Sequence, residues 1–324
     1  MGGDHGLRTT IPASLKCLAQ FPQLELALVG DPDSIVRALA GRKADPRLTI
    51  IASDTVIGMD DKPSKVIREK NRSSLRVAIE LLRDKQVDAC ISAGNTGAMM
   101  ALGYHLLHTM PGIDRPAICT ALPGNRGETY LLDLGANAQC NAKQLHQFAL
   151  LGAALAATVK SAMPRVALLN IGEESIKGND VVKEADLLMK TDDDLRYIGF
   201  IEGHQLLSGR ADVVVCDGFS GNVALKVMEG TAAHVARLIK EQFAASFRNR
   251  ILGLFARPVL KRMYAELDPQ QYNGASLLGL NGVLVKCHGN SSEEGFCSAM
   301  VRTVRMVESD ILARTGQKLS RLMN

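Results

Sequence analysis

The stretch DVVVCDGFSGNVALKVMEG, residues 212–230, decides the fold class. Its opening, 212–216, is a short run of β-branched residues without polar alternation, the pattern of a strand covered on both faces. A glycine-containing turn, CDGFSGN at 216–222, follows at once, and apolar positions at helical spacing then continue to about residue 247. Strand, glycine turn and helix in that order make half of a βαβ unit, and parallel sheets are assembled from such units.

The same alternation runs outward in both directions. Strands are expected at 24–29, 48–52, 88–92, 117–122, 129–134, 165–171, 197–201, 212–216 and 283–287. Helices are expected at 9–20, 33–41, 73–86, 96–108, 141–160, 180–190, 222–247, 250–265 and 292–315. The unequal spacings and the long helical stretch 222–265 argue against a TIM barrel. They predict an α/β fold with an open, largely parallel sheet and helices on both faces.

Five strands end in glycine followed by a polar loop: SAGNTG (92–97), LDLGAN (132–137), NIGEESIKGND (170–180), CDGFSGN (216–222) and CHGNSS (287–292). Glycine allows positive φ and close approach of backbone to a ligand. Helix N-termini present free N–H groups and partial positive charge to anions. Open α/β sheets bind ligands beyond the carboxyl ends of strands. One such loop is only a turn, but five predict a shared crevice suited to a small anion such as phosphate. The opening MGGDHG (1–6) has the same character with no strand in front of it. A strand ahead of it is expected to be missing, which leaves the anchoring of Gly2, Gly3 and Asp4 open.

Each polar loop residue has two readings. Lys177, between Gly172 and Gly178, can reach a phosphate or a developing oxyanion, or can be a solvated lysine. Asn222 is expected at the N-cap of the long helix, or as an amide donor to a carbonyl. Asn95 and Thr96 stand at the same kind of position, and His288 is either a ligand contact or a loop histidine.

Composition excludes several classes. A net charge of +4, no Trp and 4% aromatic residues offer little for nucleic-acid binding. Seven scattered cysteines with no CxxC pair fit reduced thiols of a cytoplasmic protein, not a disulfide framework or a zinc site. No signal peptide and no apolar run of spanning length are read in the chain. Walker A, GxGxxG, HExxH and GxSxG patterns are absent, so nucleotide, metal and acyl-serine chemistry have no motif support. Residues 248–264, RNRILGLFARPVLKRMY, are basic and amphipathic with no acid. Such a segment lies on an anionic membrane, docks an acidic partner, or buries its apolar side in the fold. Pro258 is expected to interrupt the helix there.

MGGDHG, ISAGNTGA, GIDRPA, LLDLGAN, ALLNIGEE followed by KGN, VVVCDGFSGNVALKVMEG and QYNGASLLGL together resemble the bacterial phosphate acyltransferase family, PlsX, in order from residue 1 to about 290. The resemblance implies a fold related to phosphotransacetylases and isocitrate dehydrogenase-like enzymes, as one domain over 1–324 with a helical projection at about 223–268. It implies reversible transfer of a fatty acyl group from acyl carrier protein to inorganic phosphate, giving acyl phosphate for phospholipid synthesis. No cofactor or metal is implied. A homodimer is, in the cytoplasm with peripheral membrane contact, followed by a membrane glycerol-3-phosphate acyltransferase. Family motifs carried over by position imply Lys177 and Asn222 as the catalytic pair. They imply phosphate or acyl contacts at Gly2, Gly3, Asp4, Asn95, Thr96, Asn137, Gly178, Asn179, Gly221 and His288. Arg250, Leu254, Phe255, Arg257, Lys261 and Arg262 fall in the family's membrane or partner surface. Family members carry a short strand before MGGD, where this sequence departs. The rival readings are a phosphotransacetylase using a short acyl-CoA and a non-catalytic scaffold for acyl carrier protein.

Overall fold

The computed structural model describes residues 1–42, 45–69, 72–125, 127–159, 163–267 and 273–322. Helix α1 (Leu7–Gln20) leads into the parallel pair β1 (Leu26–Gly30) and β2 (Leu48–Ala52), with α2 (Pro32–Leu39) as their crossover. After α3 (Pro63–Glu69) and α4 (Ser74–Arg83) come β3 (Ala89–Ser92) and α5 (Thr96–Leu107). The hairpin β4 (Ala117–Gly124) and β5 (Gly127–Leu132) follows, then α6 (Ala142–Val159), β6 (Arg165–Leu169), α7 (Asp180–Lys190), β7 (Arg196–Ile201) and β8 (Val213–Val215). Two long helices, α8 (Gly218–Ala244) and α9 (Phe247–Leu267), pack on each other. The chain closes with β9 (Ala275–Leu278), β10 (Val283–Lys286), α10 (Glu293–Glu308) and α11 (Ile311–Leu322).

Eight strands form one sheet in the order β3-β10-β9-β4-β5-β8-β6-β7. Its flanks are parallel, but β10/β9, β9/β4 and β4/β5 are antiparallel. The sheet is therefore largely parallel as expected, with a reversal at its centre. The reversal has a local cause. Only residues 125–126 separate β4 from β5, and residues 279–282 separate β9 from β10; connections this short permit only antiparallel pairing. β9 was not expected from the sequence: it is four residues between glycines, too short to show a period.

The reversal sets β3 and β10 against β5, β8, β6 and β7, so the five glycine loops leave in two opposed groups. Register brings the groups together. One row of paired residues crosses the whole sheet: Ile91, Val285, Ser276, Cys119, Leu132, Val215, Leu168 and Phe200. β3 and β10 end one residue past this row from one side, and from the other β5 and β8 end at it and β6 one residue past it. The loops meet because the strands stop level, not because they share a sheet edge.

Strand alternation sends this row into a core with α6, where Leu145, Phe148 and Leu151 are fully buried. Each such side chain removed from water stabilises by about 1.5–3 kcal/mol. The neighbouring positions, among them Leu284, Leu277, Ile118, Leu131 and Val214, face the opposite core with α4 and α5. Leu225 and Met228 of α8 pack on that second core, which fixes α8 across the centre of the sheet.

Three further expectations change. The helix read at 292–315 is two helices, parted at Ser309 and at Asp310 with φ of 51°. Helix α3 was not expected. Pro258 does not interrupt its helix; α9 runs through it, and the reversal of the hairpin falls at residues 245–246.

Candidate active site

A cavity of about 350 Å³ lies between α8 and the sheet centre. Its floor is Ile118, Thr120 and Leu122, alternate residues of β4 that share one face, with Ala275 of β9 and Lys286 of β10 beside them. Its roof is Asn222, Leu225, Lys226, Met228 and Glu229, at helical spacing on one face of α8. Thr96, at the first turn of α5, and Gly135 and His288, from opposed loop groups, close it.

Glycines let these parts approach. A Cβ on Gly221 would fall 1.9 Å from the Asp133 carbonyl oxygen, and one on Gly218 would fall 2.6 Å from the Asn137 carbonyl oxygen. Only hydrogen lets the first turn of α8 sit against the loop after β5. That loop is organised by Asp133, which is fully buried. Its carboxylate accepts from the backbone N–H groups of Ile118, Gly135, Ala136 and Asn137 and from the Asn137 amide. Burial pushes the carboxyl above its ordinary range, and these donors pull the other way.

The opening residues are anchored. The Asp4 N–H donates to the Gly289 carbonyl at 2.8 Å. Cβ atoms on Gly2 and Gly3 would fall 2.8 Å from Gly94 Cα and 2.9 Å from Ala93 Cβ, so this segment packs on the loops after β3 and β10. Gly3 also has φ of +88°, the left-handed region that favours glycine.

Several expected site residues have structural duties. Asn95 caps α5 through Ala98 N–H, and its amide donates to the carbonyls of Gly58, Met59 and Asp61. Asn137 is buried, with its amide on Pro116 O and Asp133. Asn179 caps α7, and Gly178, with φ of +91°, packs on Asn170. Asn222 is not the N-cap of α8, as expected; Asp217 is, accepting from Ser220 N–H at 2.7 Å. Asn222 lies one turn inside the helix, lines the cavity, and makes no side-chain hydrogen bond among the described residues. Lys177 is exposed on the loop after β6 and does not line the cavity. Its loop is tied by Glu173, which receives Arg210 at 3.3 Å through Nη2 and Gln205 at 2.6 Å. Those two partners hold the Glu173 carboxyl down at about 2.

Sequence reading named His288 but missed the other charged residues of the cavity, Lys226, Glu229 and Lys286. Lys226 and Glu229 pair at 2.8 Å, and Glu229 stands 3.4 Å from His288 Nε2. Burial lowers the His288 pKa, with Glu229 opposing. Lys286 is half-buried at the end of β10, and burial lowers its pKa as well. A readable signal existed: Lys286 is two residues from Leu284, so the strand period puts both on the same face. Among the described residues no cluster of His, Cys, Asp and Glu fit to hold a metal ion is found. No described helix is long and apolar enough to cross a membrane.

One end of this cavity is polar and cationic; the rest, with Leu122, Leu134, Leu207, Leu225 and Met228, is apolar. The fold is that of phosphotransacetylases. A phosphotransacetylase from Streptococcus pyogenes superposes with a TM-score of 0.63 at 18% identity, covering 97% of this chain and 91% of its own. A branched-chain phosphotransacylase from Enterococcus faecalis gives 0.56 at 14% identity, covering 94% and 97%. In sequence, the family described as "Fatty acid synthesis protein" matches residues 1–314. The phosphate acyltransferase of Pseudomonas fluorescens strain Pf-5 is 49% identical over 325 residues, spanning 100% of this chain and 97% of its own. That of Stutzerimonas stutzeri is 49% identical over 321 residues, spanning 98% and 90%. This chain belongs to the bacterial phosphate acyltransferase family.

Proposed function

We propose that the chain transfers a fatty acyl group from an acyl carrier protein thioester to inorganic phosphate, reversibly, supplying acyl phosphate for phospholipid synthesis. The observation that carries the reading is the cavity under α8: an apolar wall that suits an acyl chain ends in a group of polar and cationic side chains. Phosphate at neutral pH is already an anionic nucleophile, so no serine or cysteine nucleophile is needed. A phosphate oxygen attacks the thioester carbonyl, the C–O bond forms, and the tetrahedral intermediate carries an oxyanion. Collapse breaks the C–S bond, and the carrier's thiolate leaves and takes a proton from water.

Asn222, with an uncommitted amide at the cavity, donates to the carbonyl oxygen as it becomes an oxyanion. Thr96, Gly135, Gly221 and His288 shape the polar end. Gly2, Gly3 and Asp4 brace the loops after β3 and β10. Lys177, exposed on the loop after β6, meets the negative charge of the arriving donor. The carrier is acidic, and the basic face of α9, with Arg250, Arg257, Lys261 and Arg262, suits it or an anionic lipid surface. The chain acts in the cytoplasm as a homodimer, in peripheral contact with a membrane whose glycerol-3-phosphate acyltransferase consumes the product. Exposed Phe219, Val223 and Val227, on successive turns of α8, offer apolar surface for the second copy.

Donor competition tests the substrate class. Long-chain acyl carrier protein and acetyl-CoA are offered to the purified chain with phosphate, and acyl phosphate is trapped with hydroxylamine. Faster turnover of the long-chain carrier thioester is expected; preference for acetyl-CoA makes the chain a short-chain phosphotransacetylase, and no hydroxamate from either leaves a scaffold.

A further inference from the structure

We propose that Lys286 is a phosphate-binding residue of this site: its ammonium, at the end of β10, holds the nucleophilic anion at the polar end of the cavity under α8. The assignment rests on the proposed acyl transfer to phosphate, and it names the group that grips the acceptor.

Charge within the cavity selects this residue. Besides the buried thiol of Cys287, four titratable side chains line it: Lys226, Glu229, Lys286 and His288. Lys226 is neutralised by Glu229 at 2.8 Å, and Glu229 is also the acid nearest His288, at 3.4 Å. Lys286 has no such partner. Among the described residues no carboxylate forms an ion pair with it, and its one hydrogen bond is to the Cys287 carbonyl. An ammonium carries three N–H donors, so two remain for a ligand. A half-buried cation without an anion is costly to keep, and a bound anion offsets that cost.

Position agrees with charge. Lys286 pairs in register with Ala275, which lines the cavity floor, so the ammonium rises beside the apolar surface where the thioester would lie. Across from it are Asn222 on α8 and Thr96 at the start of α5, whose N-terminal end favours negative charge. Asn222 faces the carbonyl and Lys286 faces the nucleophile, which divides the two charges of the reaction between two elements. Asp4 attracts the Lys286 ammonium through space without forming an ion pair with it.

The test separates phosphate binding from turnover. Inorganic phosphate is titrated into the full chain without acyl donor, by calorimetry, for wild type and Lys286→Met, with melting temperature as the control for folding. Loss of one charged hydrogen-bonding partner predicts phosphate affinity weaker by about 10- to 100-fold. In steady state the KM for phosphate should rise by a similar factor, with the KM for acyl donor unchanged. Equal phosphate affinity in the two proteins overturns the assignment, as does a wild type that binds no phosphate. A second measurement needs no variant: saturating phosphate should shield Lys286 from amine acylation, read by peptide mass spectrometry, while exposed Lys65 labels as before. Equal labelling of Lys286 with and without phosphate contradicts the proposal even if Lys286→Met fails to fold. Phosphate binding and shielding at Lys286 in a chain that transfers no acyl group would instead uphold this site and overturn the acyl-transfer reading.

Discussion

Asn222 and Gly221 are adjacent, yet they separate catalysis from packing. Asn222 is exposed to the cavity and its side chain makes no hydrogen bond among the described residues, so Asn222→Ala should leave the melting temperature unchanged. Removal of an oxyanion donor typically slows turnover by about 100-fold or more; a variant that keeps near wild-type turnover removes Asn222 from the mechanism. Gly221→Ala behaves oppositely. Its Cβ would overlap the Asp133 carbonyl, so the turn must open and stability falls by at least about 1–3 kcal/mol in a denaturant titration. Unchanged stability would mean that α8 does not rest on the loop after β5. The sequence showed these residues as one motif, CDGFSGN. It did not show their division of labour, because helical phase relative to the cavity depends on where Asp217 caps α8. Lys286 was hidden for a different reason. A lysine ending VLVK reads as the polar stop of a strand; its period puts it on the face of Leu284, but that this face lines a cavity follows only from Ala275 of β9 and α8 lying beside it.

Elements carry the next two predictions. The loop between β6 and α7 bears Lys177 and is held by Glu173 against Arg210 and Gln205. The Glu173 carboxyl, lowered to about 2, contributes stability that is fully present above the ordinary glutamate range and is lost as pH falls through about 2. Arg210→Ala should return its titration, followed by carbon-detected NMR, toward the ordinary range, with the KM for the carrier donor raised. A carboxyl still titrating near 2 in that variant would make Gln205 the anchor. The α8–α9 hairpin presents Leu254 and Phe255 exposed beside Arg250, Arg257 and Lys261. Substituting both apolar residues by Asp should abolish sedimentation with phosphatidylglycerol vesicles and leave the circular dichroism spectrum unchanged; undiminished sedimentation places membrane contact elsewhere. The helices of this hairpin were legible from their apolar period, which put the break between them at 248–249; it falls at 245–246. Pro258 looked like the break, but α9 runs through it, with Arg257, Pro258 and Val259 exposed.

At the scale of the molecule, alternation of strands and helices was readable and direction was not. Buried β-branched runs announce strands covered on both faces whichever way they point. The four-residue β9, bounded by Gly274 and Gly279, showed no period, and the antiparallel centre follows from it and from the two-residue β4–β5 connection. That centre is what makes a cavity of this kind. Opposed strands stop within a residue of one row, and their glycine loops face each other across β4 and β9 with α8 laid over them. Phosphate and a long acyl thioester are proposed to meet in that space. Phosphorus-31 NMR of the purified chain with palmitoyl-acyl carrier protein and inorganic phosphate tests it most directly. A new acyl phosphate resonance is expected that grows with time, requires both substrates, and is slowed by Asn222→Ala; an unchanged phosphate spectrum, with the thioester intact, would contradict acyl transfer to phosphate in this cavity.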